Sequence, residues 1–131
     1  MTLVVDASVV VAALVDTSPI GRWAERQLGS GPLVAPHLLH VEVANVLRRA
    51  ELAGQITADV ASLAHADLVD LQVDLYPYEP FSDRVWELRE AITTYDAWYV
   101  ALAESLDTRL VTLDARLKSA PGPTCGFVVP T

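Results

Sequence analysis

LVVDASVVVAALV, residues 3–15, is the stretch whose reading decides the fold. Leu3 to Val5 is an apolar run too short for a helix, Asp6 interrupts it, and Val9 to Val15 has the character of a buried helix. A strand that passes through one acidic residue into a helix is a β-to-α step, and the fold depends on whether the step repeats. It does. Leu33 to Ala35 is a second short apolar run, closed by Pro36. The helix predicted after it, over residues 38–53, carries Leu39, Val43, Val46, Leu47 and Ala50 at helical spacing and stops at Gly54. Arg109 to Thr112 predicts another strand, followed by Asp114 and a short helix through Lys118.

The remaining segments fit between these. Pro19 opens a helix through Trp23 and Leu28, Thr57 caps one through about residue 69, and residues 73–76 read as a strand. Pro80 begins a helix carrying Val85, Trp86, Leu88 and Ile92. Thr94 caps a helix over residues 95–106 that is apolar on nearly every face and therefore central, and residues 127–129 make a last strand. Apolar strands alternating with helices predict an α/β fold: a parallel sheet covered on both faces, in a single domain over residues 1–131. Ligands of such sheets bind beyond the carboxyl ends of the strands.

Composition narrows the class. With 52% hydrophobic and 20% charged residues, the 131-residue chain is neither disordered nor fibrous. Nine Lys and Arg against 17 Asp and Glu give a net charge of −8, with Lys118 the only lysine, which disfavours a bare nucleic-acid clamp. A polyanionic ligand would need metal ions, a local Arg cluster or a basic partner. Cys125 is the single cysteine, so no internal disulfide forms, and a reducing compartment is implied. No Lys or Arg precedes Arg22, and Asp6 breaks the first apolar run, so residues 1–15 are not a signal peptide. No stretch approaches the roughly 20 apolar residues of a membrane span. The expected setting is cytoplasmic.

Four acidic residues stand out by position, each with a plainer explanation beside the chemical one. Asp6 and Asp114 follow strands at one sheet edge, yet either could simply cap its helix. Glu42 lies beside the apolar stripe of its helix, with Asn45 and Arg49 at i+3 and i+7, so it is a site residue, half of an ion pair with Arg49, or simply exposed at the stripe's margin. Asp96 occupies the first turn of the most apolar helix, where the helix dipole alone favours it. His37, His40 and His65 share no ligand spacing. Trp98 and Tyr99 read as core, and Arg48, Arg49 and Arg89 as solvated charges that could contact RNA phosphates.

Four ordered motifs carry a resemblance: VDAS at 5–8, PHLLHVEVANVLRR at 36–49, YDAWYVALAE at 95–104 and LVTLDARL at 110–117. Together they resemble the PIN-domain ribonucleases, in particular the VapC toxins of toxin–antitoxin pairs, over essentially the whole chain. The resemblance implies a three-layer α/β/α sandwich and a metal-dependent endoribonuclease. It implies Mg²⁺ or Mn²⁺ held by Asp6, Glu42, Asp96 and Asp114, with Ser8 and Thr112 as hydroxyl partners and Asn45 in support. Hard oxygen ligands suit those ions. The implied partners are an RNA substrate such as tRNA, a VapB-type antitoxin and a second copy of the chain in a homodimer, assembled with antitoxin as a heterotetramer or larger.

Two alternatives compete with this reading. One is a catalytically silent domain of the same fold acting as a binding module. The other is a receiver-like domain, which would want an acceptor Asp after its middle strand and a Lys after a later one. Here residues 76–79 read YPYE, and the only lysine is Lys118.

Overall fold

The computed structural model describes residues 1–131. Five strands, β1 (Leu3–Val5), β2 (Leu33–Pro36), β3 (Asp74–Tyr76), β4 (Arg109–Val111) and β5 (Gly126–Val128), form one sheet in the order β3-β2-β1-β4-β5. All four pairings are parallel. Seven helices connect and cover it: α1 (Ala7–Val15), α2 (Pro19–Leu28), α3 (Leu39–Leu52), α4 (Ala58–Asp70), α5 (Ser82–Glu87), α6 (Thr94–Ser105) and α7 (Ala115–Ser119). Helix α1 packs on α2, α3 and α4, whereas α6 lies over β1, β2 and β4 with α5 beside it, giving the three-layer α/β/α arrangement.

Burial follows the sequence pattern. Every residue of β1 and β2 is buried, as central parallel strands require, whereas the edge strands β3 and β5 and the first residue of β4, Arg109, reach solvent. Helix α6 buries Ala97, Tyr99, Val100, Ala101, Leu102 and Ala103, so it forms the interior of its layer. Asp6, Ser18, Thr57, Thr93 and Asp114 cap their helices by accepting a backbone N–H. Helix α3 has no side-chain cap and ends at Gly54, whose φ of +75° is the left-handed turn that favours glycine. Gly21 lets α2 cross α1 closely; a Cβ there would stand 1.7 Å from the Asp16 carbonyl oxygen.

Several boundaries differ from the sequence reading. Helix α1 starts at Ala7 because Asp6 itself is the cap. Thr93, not Thr94, caps α6. The helix expected from Pro80 to Ile92 is a 3₁₀ turn, Glu79–Phe81, followed by α5, which ends at Glu87. Phe81, Val85 and Leu88 are the buried anchors there, and three apolar anchors do not hold a long helix down. The last strand begins one residue early, at Gly126.

Candidate active site

In a parallel sheet every crossover helix begins at the carboxyl edge of the strands, and this rule gathers the four acids. Asp6 ends β1, Asp114 follows β4, Glu42 is in the first turn of α3 after β2, and Asp96 is in the first turn of α6 before β4. Because β1 leads to β2 on one side and pairs with β4 on the other, this edge is also where the strand order reverses.

Asp6 is the most constrained of the four. It is 9% exposed, accepts the Ser8 hydroxyl at 2.5 Å and the Val9 N–H at 3.3 Å, and lies beside the fully buried Thr112. Its pKa is raised: burial outweighs those hydrogen bonds, and the Asp96 charge adds to the rise. Capping and site geometry are therefore compatible at Asp6. The Ser8 hydroxyl also accepts the Leu113 N–H at 3.2 Å, and Thr112 Oγ1 accepts the Asp114 N–H at 3.0 Å, so the loops after β1 and β4 are tied together through the two hydroxyls.

Glu42 does not pair with Arg49. Its Oε1 accepts the Tyr99 hydroxyl of α6 at 2.6 Å, across 57 residues of sequence. Burial raises its pKa, the Tyr99 bond opposes the rise, and Asp6 and Asp96 reinforce it. Asp96 is raised mainly by burial and then by the Asp114 charge, against the Thr93 hydroxyl and Arg116. Tyr99 is pushed far up by burial and its carboxylate neighbours, so it remains a donor. Asp114 behaves differently: Arg116 forks onto it, Nε to Oδ1 at 3.1 Å and Nη2 to Oδ2 at 3.2 Å, and holds it below the usual carboxylate range.

Three carboxyl groups at one edge thus lack a basic partner and perturb one another, while a fourth is masked by Arg116. As they stand, no three His, Cys, Asp or Glu side chains converge tightly enough to enclose an ion. Tyr99 holds Glu42, and Arg116 holds Asp114. The supporting residues divide: Ser8 and Thr112 touch the site, whereas Asn45 is exposed on α3 and hydrogen-bonds none of the acids. Arg89 lines a cleft with Asp96 and Asp114; Arg48 lines a separate groove between α3 and α4 with His65; Arg49 is exposed and lines neither. Burial pushes the Cys125 thiol up to about 11, so it is no nucleophile at neutral pH. Sequence reasoning missed Tyr99 as a partner of Glu42, because an aromatic in an all-apolar helix signals core. It also missed Arg116, for which the signal was present two residues after Asp114.

The PIN-domain family model matches residues 3–123. Ribonuclease VapC1 of Mycobacterium tuberculosis is 42% identical over 123 residues, covering 93% of this chain and 92% of its own. The chain belongs to the VapC ribonucleases of the PIN-domain family. Among solved structures, PAE2754 from Pyrobaculum aerophilum superposes with a TM-score of 0.73 at 22% identity, covering 97% of this chain and 83% of its own. VapBC2 from Rickettsia felis, bound to a DNA fragment from their promoter, gives 0.66 at 12% identity over 98% of each chain. At those identities the two structures speak for the PIN fold. The VapC relatives and the carboxylate edge speak for the chemistry.

Proposed function

We propose that the chain is an endoribonuclease toxin that hydrolyses RNA phosphodiesters at the edge formed by Asp6, Glu42, Asp96 and Asp114. A VapB-type antitoxin restrains it in the cytoplasm. The observation that carries the reading is the set of three unpaired, mutually perturbing carboxyl groups at the sheet's reversal point, in a chain so similar to a named ribonuclease.

In its chemistry the donor set suits Mg²⁺ or Mn²⁺, being all oxygen with three members that lack a countercharge. Since no three of these side chains converge, holding an ion requires them to turn toward it. Asp6, Glu42, Asp96 and Asp114 would hold the ion, which when bound supplies a polarised phosphoryl oxygen and a more acidic water. The rest of the work belongs to the chain. Ser8, Thr112 and the Val9 N–H fix the Asp6 carboxylate in one orientation, so none of its reorganisation falls in the reaction. Tyr99 aims Glu42, leaving its second oxygen free. The raised pKa values mean that protons and a cation compete for these acids, which makes cation binding pH-dependent.

Restraint follows from charge. The net −8 and the acidic edge suit a basic antitoxin segment, whose Arg would fork onto these carboxylates and exclude the cation. A homodimer of the chain, bound to antitoxin as a heterotetramer, is the assembly expected. No helix is long and apolar enough to cross a membrane. The test is incubation of antitoxin-free protein with total RNA and Mn²⁺ or Mg²⁺, with the cleavage ends mapped. Discrete ends, absent in EDTA, support the reading; intact RNA under both metals supports the silent binding module instead.

A further inference from the structure

A cleft of about 510 Å³ opens directly beside the acidic edge, within the roughly 300–1,000 Å³ range of ligand clefts. Asp96 and Asp114 line it together with Arg89, Arg116, Thr93 and Leu117; Glu90 is the one further charge. The two arginines are held differently. Arg89 lies 4.7 Å over the ring of Trp86, which is itself 60% exposed, and donates through Nη1 to the Trp86 carbonyl oxygen at 2.7 Å, so its guanidinium has a fixed seat. Arg116 has a side chain 92% exposed, and its only partner is Asp114. An ion pair that exposed is weak and exchanges readily.

We propose that Arg89 and Arg116 together form a phosphate clamp for the RNA phosphodiester next to the one being cut, with Arg116 parked on Asp114 until that acid turns to a cation. This deepens the ribonuclease reading and rests on it. The chemistry of the cleft selects the ligand. A guanidinium fork matches two oxygens of a phosphate as well as two of a carboxylate, so Arg116 exchanges one anion for another with little loss. A strand whose scissile group lies at Asp96 and Asp114 has its neighbouring phosphate within reach of the two arginines that line the same cleft. The clamp also answers the charge problem of a −8 protein that acts on a polyanion: two of only eight arginines stand where the chain must pass. Trp86, exposed beside Arg89, is placed to receive a base from the same strand.

The experiment uses a short fluorophore- and quencher-labelled RNA containing a mapped cleavage site. KM and kcat are measured in saturating Mn²⁺ across a KCl series for the parent, Arg89→Ala, Arg116→Ala, Arg116→Lys, and Arg26→Ala on α2 as a control. All three positions are exposed, so the four variants should fold as the parent does, which circular dichroism checks. The clamp predicts KM raised about three- to tenfold in each cleft alanine variant with kcat within twofold, as expected for lost charge-assisted phosphate contacts. It also predicts a salt slope shallower by about one, regained in Arg116→Lys, and no change in Arg26→Ala. If the parent cleaves and both cleft variants keep its KM and salt slope, the clamp is wrong and the ribonuclease reading stands. If Arg116→Ala alters only kcat or the Mn²⁺ midpoint, Arg116 merely positions Asp114 and the clamp is again wrong. If the parent cleaves no RNA in either metal, both proposals fall.

Discussion

Changing Asp6 to Asn should stabilise the metal-free protein while removing its response to metal. Asn keeps an oxygen to accept the Ser8 hydroxyl and the Val9 N–H, and it removes a buried charge that has no basic partner and faces Asp96. Relieving an unpaired buried charge of this kind is worth about 1 kcal/mol or more. For 131 residues the unfolding entropy is about 0.28 kcal/mol/K, so 1 kcal/mol moves Tm by about 3–4 °C. In EDTA at pH 8 the Asn variant should therefore melt about 3–4 °C above the parent. At a Mg²⁺ concentration ten times the dissociation constant the parent gains about 1.4 kcal/mol, or about 5 °C, while the variant gains almost nothing, so their order reverses. Differential scanning calorimetry with and without metal reads both changes. A variant that melts below the parent in EDTA, or that shifts with metal as much as the parent, would refute the reasoning, the second outcome pointing to general charge screening.

Other expectations follow from the same geometry. Asp6, Glu42 and Asp96 all have raised pKa values, so the folded protein binds more protons than the unfolded chain above the ordinary Asp value of 3.8. Metal-free stability should consequently fall as pH rises above about 4, and the metal-induced Tm rise should grow with pH; a metal effect independent of pH between 5 and 8 would contradict this. Asp114 and Glu104, held low by Arg116 and Arg84, act in the separate window below their ordinary values, where their protonation costs stability. Tyr99→Phe removes the donor that aims Glu42 and should raise the Mn²⁺ midpoint of cleavage about tenfold while costing about 1 kcal/mol of stability, measured by metal titration and calorimetry. Arg84 bonds Glu104 through Nε at 2.7 Å and the Gly122 carbonyl oxygen at 2.8 Å, fastening the segment before β5, so Arg84→Ala should lower Tm by about 7 °C with the RNA ends unchanged at low temperature.

The sequence carried the element order and the acidic edge unusually far, for a physical reason. Parallel strands buried on both faces must be uninterrupted apolar runs, so Leu3–Val5, Leu33–Pro36 and Arg109–Val111 announce themselves, and the helix starts that follow them share one edge. Asp6 and Asp114 could be placed there without knowing the strand order. The order β3-β2-β1-β4-β5 was not legible, since pairing between distant strands leaves no local trace. The segment after Pro80 departs from the predicted helix because apolar spacing at Val85, Leu88 and Ile92 suits a continuous one, while the closing turn from Leu88 to Ile92 depends on packing. The sequence leaves Glu42 open between site, ion pair and simple exposure because its partner, Tyr99, lies 57 positions away on another helix. Asn45, at i+3 from Glu42, shares that side of α3 but is exposed and hydrogen-bonds none of the acids.

The central claim is that the unpaired carboxylates at the sheet edge cut RNA with a divalent cation. Single-turnover cleavage of one mapped RNA by the parent and by Asp96→Asn, at equal protein concentration and with folding verified by circular dichroism, tests it most directly. The account predicts Mn²⁺- or Mg²⁺-dependent cleavage by the parent, abolished by EDTA, and a loss of at least a hundredfold in the Asn variant at unchanged secondary structure. Equal rates in the two proteins, or parental cleavage that persists in EDTA, would contradict it.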